Sequence, residues 1–352
     1  MKQSEQALSA SFSGNRQMSK SSFHLKDFAL EVILLAIIVF LTIWAPGFAT
    51  WDNFMNILRS ASMTGIIAFG MTFVIISGEI DISVGSAIAF FGCLCAIITQ
   101  TLMGLSWSAE AAIPVGVIVC FCIATMCGMF TGWVRHRLNV PTFITTLAWM
   151  AALRGGAYLL TGSFPVTPYP EWFFFFGSGF IFGVPFQAFV FLIIFAATWF
   201  ISNYTVFGRS VYAIGGNAES ARLSGINVLK IRMLVMMMTS LFAVLSAIMV
   251  SSQIQAGNPT VGITWEFTVI SACVIGGVSL MGGKGRIWGT FVGVLFLEII
   301  LNGMTLLNID EYWQYVARAL LILGAVLIYQ VQEAGKAKVK TAAPAAQGAA
   351  TK

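Results

Sequence analysis

Long apolar runs broken by short polar stretches set the pattern of this chain. A helix needs roughly 20 apolar residues to cross a bilayer. Against that length ten runs stand out as candidate spans: Phe28 to Ala45, Ala61 to Ser77, Val84 to Thr99, Ala112 to Val134, Phe143 to Leu160, Phe186 to Ile201, Leu234 to Ser251, Phe267 to Leu280, Trp288 to Leu307 and Tyr315 to Tyr329. The pattern predicts an all-α, polytopic membrane domain over residues 27–330. Residues 1–26 are Ser-rich and carry no apolar core of signal-peptide type, so they read as a disordered tail. Residues 331–352, rich in Ala and Lys, read the same way.

The breaks in the pattern carry as much information as the runs. Residues 208–230, GRSVYAIGGNAESARLSGINVLK, form a polar island between the sixth and seventh runs. It predicts one short helix, Ala218 to Leu223, with Asn217 placed to cap it and Gly225 to end it. That helix carries Glu219 and Arg222 and no strong apolar face, which argues for docking onto something other than lipid alone. A second break, SGEIDISVGS from Ser77 to Ser86, is conspicuously polar between two apolar runs. The eighth run is short and ends at Gly276 and Gly277, which predicts a short or broken helix shielded by protein. Trp172 to Val184, WFFFFGSGFIFGV, is apolar but short and glycine-punctuated, and reads as an interfacial or re-entrant piece.

Composition sharpens the class. The 352 residues are 58% hydrophobic and only 9% charged, with a mean hydropathy of +0.87. No soluble domain of this length needs so few charges. The net charge of +5 therefore points to membrane orientation, not to nucleic-acid binding. Of the 19 Lys and Arg, all but Arg59, Arg154 and Arg318 fall in the tails or in loops assigned to one side. Even numbers of spans put both tails on that side, which the excess of cations marks as cytoplasmic. Outward loops hold Asp52, Glu110, Glu171, Asp310 and Glu311. One inward loop breaks the rule: Ser77 to Ser83 holds Glu79 and Asp81 and no cation of its own.

Candidate chemistry is sparse. Neither His24 nor His136 has a nucleophile or metal-ligand partner at recognisable spacing, and Gly282-Gly-Lys-Gly-Arg lacks the GxxxxGK[ST] pattern of a phosphate loop. Six cysteines lie in apolar runs, and residues two apart on a helix cannot face one ion, so they read as small packing residues and no metal site is expected. Gly282, Gly283, Gly285, Gly289 and Gly293 make a row of small residues suited to close helix contact. Asp81 with Ser83 reads as a cap for the third span or as a hinge responding to a partner. The deepest ionisable residues are Arg154 and Glu298, either clamped to each other or lining a solute path with Thr145, Thr146, Trp149 and Asn302.

These breaks also resemble known blocks. SGEIDISVGS resembles the G-G-I-D-L-S-V-G-S signature of permease subunits of ribose-type ATP-binding-cassette importers, in the branched-chain amino acid and ribose permease superfamily. GRSVYAIGGNAESARLSGI is similar to that family's coupling loop, and VIGGVSLMGGKGRIWGTFVG, Val274 to Gly293, to its third shared block. Glu79 departs from the pattern, standing where the family usually has glycine. Glu219 to Gly225 meets the importer motif E-A-A-x-x-x-G with one substitution, and the downstream I-x-L-P is absent.

The resemblance implies a type II importer-like permease bundle in the bacterial inner membrane, without an ATPase site of its own. ATP would be used by a cytoplasmic ATPase, and the chain would bind no cofactor itself. It would pair with a second permease, identical or similar, and receive sugar from a periplasmic or lipid-anchored binding protein. Gly216, Asn217, Glu219, Ala221, Arg222, Leu223, Ser224 and Gly225 would then form the ATPase-coupling loop, with Arg222 either anchoring its rim or merely obeying the charge rule. Gly78, Asp81, Ser83 and Gly85 would form the signature hinge, with Glu79 near a cation of the partner. Two alternatives remain at this stage: an ion-coupled secondary transporter using Glu298, and a membrane scaffold or receptor.

Overall fold

The computed structural model describes residues 29–310, 312–321, 323–324 and 327. Both tails, Glu311 and the end of the tenth predicted span lie outside the described residues. Among the described residues up to 310, nine long or apolar helices follow in order: α1 Ala29–Trp44, α2 Trp51–Ile76, α3 Val84–Gly104, α4 Ala109–Arg137, α5 Thr142–Thr161, α6 Phe186–Tyr204, then, after α7 Val206–Gly216 and α8 Ala218–Leu223, α9 Val228–Ile254, α10 Trp265–Ile275 and α11 Ile287–Leu306. Residues 312–321 are helical and begin the tenth predicted span. Seven of these helices are long and apolar enough to cross a membrane, while α1 and α10 are shorter. The chain is therefore a multi-pass, all-α membrane protein.

Burial sorts the helices. The most apolar stretch of α2 is 89% buried, against 17% for α5 and 28% for α4 and α6, so α2 is the central post and the others face outward. With no hydrophobic driving force between helices in lipid, close backbone approach decides the packing. Gly128 and Gly132, four apart on α4, lie against the backbone of Met237 and Met233 on α9, where a Cβ would collide. Gly289 and Gly293 of α11 do the same against Gly276 and Ala272 at the end of α10, so the predicted small-residue row is a helix-crossing device. On α2, Phe69 stacks on Phe191 of α6 with centroids 5.2 Å apart.

Trp172 to Val184 does not cross. It forms a 3-10 turn (Glu171–Phe174), a helical turn (Phe175–Ser178) and a minimal hairpin of β1 Phe180–Ile181 with β2 Val184–Pro185. Its aromatic rings pack on one another, and the Ser252 hydroxyl at the end of α9 donates to the carbonyl of Phe173.

Two irregular segments enter the bundle. Residues 77–83 leave α2 and run beside the start of α5, where the Ile80 and Ile82 N–H groups donate to the hydroxyls of Thr142 (3.2 Å) and Thr146 (3.3 Å). Residues 255–264 join α9 to α10 and run past Arg154, about seven residues below the end of α5, or roughly 10 Å at 1.5 Å rise per residue. Gly85, in the first turn of α3, packs against Gly262 and Glu266, so the second irregular segment and the start of α10 reach the start of α3 inside the bundle. The expectation of a broken helix near the eighth span holds, but the break precedes α10 as well as following it. Non-helical backbone at such depth is tolerated only when protein satisfies it.

Candidate coupling site and the segments behind it

α8 has the bounds its sequence predicts, because both ends are fixed locally. The Asn217 side chain accepts the Ser220 N–H at 2.8 Å, capping the start. At the other end Gly225 adopts φ +85°, and the Ile226 N–H returns to the Ala221 carbonyl at 3.1 Å. Arg222 and Glu219 form an exposed ion pair at 2.6 Å, one turn apart, and these hydrogen bonds hold the Glu219 carboxyl below its ordinary range. Ala221 is buried and anchors the helix on the bundle. Gly216, Asn217, Glu219, Arg222, Leu223, Ser224 and Gly225 are exposed, with Leu223 at 74%. An exposed leucine ringed by polar groups on a rigid, capped turn is a ready docking face.

The stretch before α8, which the sequence pattern assigns to the polar island without a helix of its own, is helix α7. Thr205 caps it by accepting the Gly208 N–H at 3.1 Å, and Val211 and Ile214 turn inward. The signal was present in Thr205 and in the spacing of Gly208, Val211 and Ile214, but three glycines masked it.

Behind α8 the three motif blocks converge on one glycine junction. The Gly283 N–H donates to the Ile76 carbonyl at the end of α2, 2.8 Å away. A Cβ on Gly215 would strike that same carbonyl, and one on Gly282 would lie 2.9 Å from the Gly215 carbonyl and 3.0 Å from the Gly78 Cα. Tyr212 of α7 reinforces the junction by donating to the Gly285 carbonyl at 2.9 Å. The end of α7, the end of α2 and the loop before α11 thus touch backbone to backbone.

The loop that follows Gly78 is pinned by Glu79. Its carboxylate is buried and accepts from Arg135 Nε of α4 at 2.8 and 3.0 Å and from the Thr142 hydroxyl of α5 at 2.9 Å. Arg232 of α9 lies 3.0 Å from the same Oε1. This corrects the sequence expectation that Glu79 meets a cation of a partner chain: both cations come from its own chain, brought in by helix packing that spacing could not reveal. Asp81 turns back on Ser83, accepting its N–H at 2.9 Å and its hydroxyl at 2.6 Å just before α3. Gly85 serves the contact with Gly262 and Glu266.

The deep charges do not clamp each other. Arg154 donates to the carbonyls of Pro259 (2.7 Å) and Val261 (2.8 Å), and Glu298 accepts the Thr64 hydroxyl at 2.9 Å. The expected Arg154 and Glu298 pair is thus replaced by separate partners, since an arginine fork suits two unpaired carbonyls of the irregular segment. Nor do the path candidates form one stripe. Trp149 donates to Thr131 of α4 at 3.1 Å, and Asn302 exchanges two amide hydrogen bonds with Asn53, at 2.9 and 2.8 Å. Thr145 Oγ1 is buried with no hydrogen-bond partner among the described residues. Glu298 borders a cavity together with Trp265, Thr268, Gln253 and Arg318, residues that the sequence placed in no site.

Comparison with known proteins fits this geometry. Residues 53–326 match the family described as branched-chain amino acid transport system / permease component. The chain is 37% identical over 317 residues to a ribose import permease protein of Haemophilus influenzae, covering 89% of this chain and 95% of the relative. It is 38% identical to a probable ABC transporter permease protein of Escherichia coli, over 90% of this chain and 94% of the relative. An L-arabinose transport system permease protein of Escherichia coli is 34% identical over 95% of this chain and 99% of its own length. No solved structure matches.

Proposed function

The chain belongs to the branched-chain amino acid transport system / permease component family, and on that premise we propose that it is the membrane-spanning permease subunit of an ATP-binding-cassette importer, carrying a ribose-like monosaccharide across the bacterial inner membrane. Its energy comes from a separate cytoplasmic ATPase that seats on α8, and both chain termini lie on that side. A second permease, identical or similar, completes the pathway, and a periplasmic or lipid-anchored binding protein delivers the sugar. The nature of the relatives supports the sugar, since they are named for ribose and L-arabinose import.

The observation that carries the coupling role is the glycine junction. α8 is tied through α7 to the end of α2 and the loop before α11, with no side chain between the backbones to absorb displacement. α8 also leads directly into α9, whose Arg232 holds Glu79. A push on α8 as the ATPase closes therefore moves α9 and the 77–83 segment together, because packed protein interiors transmit strain instead of yielding gradually. Asp81 and Ser83, bound to each other, would then carry that movement to the start of α3.

The test is gentle solubilisation of the tagged protein from its native membrane and identification of what copurifies. Recovery of a nucleotide-binding ATPase, with ATP-dependent uptake in vesicles, is the expected result. Isolation of the chain alone across several detergents, with uptake indifferent to ATP, would remove the ATPase partner and with it the importer reading.

A further inference from the structure

On the face of the bundle opposite α8 lies a cavity of about 210 Å³ between α2, α9, α10, α11 and the helix at residues 312–321. It is much larger than one water's share of roughly 30 Å³ and has room for a single sugar ring. Its walls mix apolar side chains, Met63, Val250 and Leu301, with polar ones. Glu298 and Arg318 face it from α11 and from the last described helix, Gln253 from the end of α9, and Thr64 from α2. Trp265 and Thr268, in the first turn of α10, complete it.

Two features show that this wall is not fully satisfied by the protein. Thr268 is 4% exposed, and among the described residues its hydroxyl has no hydrogen-bond partner; Arg318 Nε is likewise buried and unpartnered among them. Buried polar groups nearly always find a partner, so an orphan hydroxyl and an orphan guanidinium N–H beside one cavity mark a place where a ligand or solvent completes the set. Arg318 and Glu298 form no ion pair within 4.0 Å among the described residues, which leaves the space between them open. One cationic and one anionic side chain give the cavity no net charge. An ionic ligand would be left uncompensated in a low-dielectric site, whereas a neutral polyol can donate to the carboxylate and accept from the guanidinium at once.

We propose that this cavity is a binding site within a single protomer for one neutral monosaccharide. Glu298 and Arg318 bind adjacent hydroxyls, Thr268 and Gln253 fix the ring's orientation, and the Trp265 indole covers its apolar C–H face. The ligand class rests on the importer reading above; the site itself rests on the cavity and its unpartnered groups. Binding there is weak by design, because a permease that held sugar tightly would release it slowly.

The experiment is saturation-transfer NMR on the full chain in lipid nanodiscs, with D-ribose, L-arabinose and D-galactose as probes and D-gluconate as the anionic comparator. At least one neutral sugar is expected to give transfer, with gluconate silent. Losing one hydrogen bond or the indole should reduce the signal roughly 5-fold in Thr268→Val and in Trp265→Leu, while Thr268→Ser retains it. Thr268→Val is nearly isosteric and guards against a folding failure in the tryptophan variant. No transfer from any neutral sugar, equal transfer in the variants, or a stronger signal from gluconate overturns the site. The outcome separates from that of the importer reading: an ATPase that copurifies with a chain whose cavity binds no sugar rejects the cavity alone, and sugar binding lost in both variants without any ATPase rejects the coupling alone.

Discussion

Arg232, one turn into α9, lies 3.0 Å from the buried carboxylate of Glu79 in the segment that follows α2. The contact joins the helix that issues from α8 to the irregular segment that leads into α3. Arg135 shares the same carboxylate, so one anion holds two cations of 12% and 27% side-chain exposure.

That relationship predicts asymmetric mutational costs. Glu79→Gln leaves two guanidinium groups facing each other without a counter-charge and should cost about 1–3 kcal/mol, less than the roughly 3–5 kcal/mol of a fully buried pair because both arginines keep some contact with water. In the double variant Glu79→Gln with Arg232→Gln part of that loss should return, giving a coupling of about 1 kcal/mol or more in a double-mutant cycle on thermal stability in detergent. Strict additivity of the two single losses would show the contact to be incidental.

The glycine junction makes a sharper structural claim. Gly215→Ala places a methyl group against the Ile76 carbonyl, and backbone on both sides leaves nothing flexible to give way. The substitution should lower stability by roughly 1–3 kcal/mol and reduce coupled uptake even in the protein that folds. Gly216→Ala, one residue on, meets nothing within 4 Å and should be tolerated. The pair is read by yield of folded protein and by vesicle uptake; equal behaviour of the two variants contradicts the junction.

Much of this arrangement was legible before any coordinates. The apolar runs that become the seven long helices, the ends of α8 and the positions of the three motif blocks follow from local rules: hydrophobic length, an Asn cap and a glycine able to take positive φ. What escaped depends on contacts between distant segments. Glu79 advertised a missing cation, but the cations sit 56 and 153 positions away, on α4 and α9. Arg154 and Glu298 were both deep and opposite in charge, yet which carbonyl or hydroxyl each would meet is set by where residues 255–264 run, and no periodicity records that. Thr268 looked like an ordinary residue of a short apolar run and Trp265 lay just before that run, until α2, α9 and α11 enclosed them.

Arg154 gives a test of the irregular segment. Arg154→Met keeps the apolar stem but orphans the carbonyls of Pro259 and Val261, and buried acceptors left unpaired cost roughly 1–3 kcal/mol each. The expected result is a marked loss of thermal stability together with faster proteolysis between α9 and α10. Arg154→Lys, which can reach one carbonyl at a time, should lie between. A methionine variant as stable and as resistant as the parent would mean that the segment is held by something else.

Coupling through α8 can be separated from folding, because its exposed face contributes little to the bundle. Asn217→Lys removes the cap that holds the Ser220 N–H, costing about 1 kcal/mol of local helix stability, and adds a cation to the docking face. Gly225→Asp forces an L side chain into φ +85°, a conformation that costs roughly 1–2 kcal/mol for most residues and less for Asp. Neither position is buried, so both variants should reach the membrane at normal levels. Both should lose ATP-driven uptake and ATPase copurification together, since the partner reads the shape of this short helix. Leu223→Ala, which removes the exposed apolar group and leaves the caps intact, should weaken ATPase recovery while leaving α8 folded. If all three variants copurify with the ATPase and transport as the parent does, α8 is not the coupling element, and the ATPase must be sought at another cytoplasmic surface.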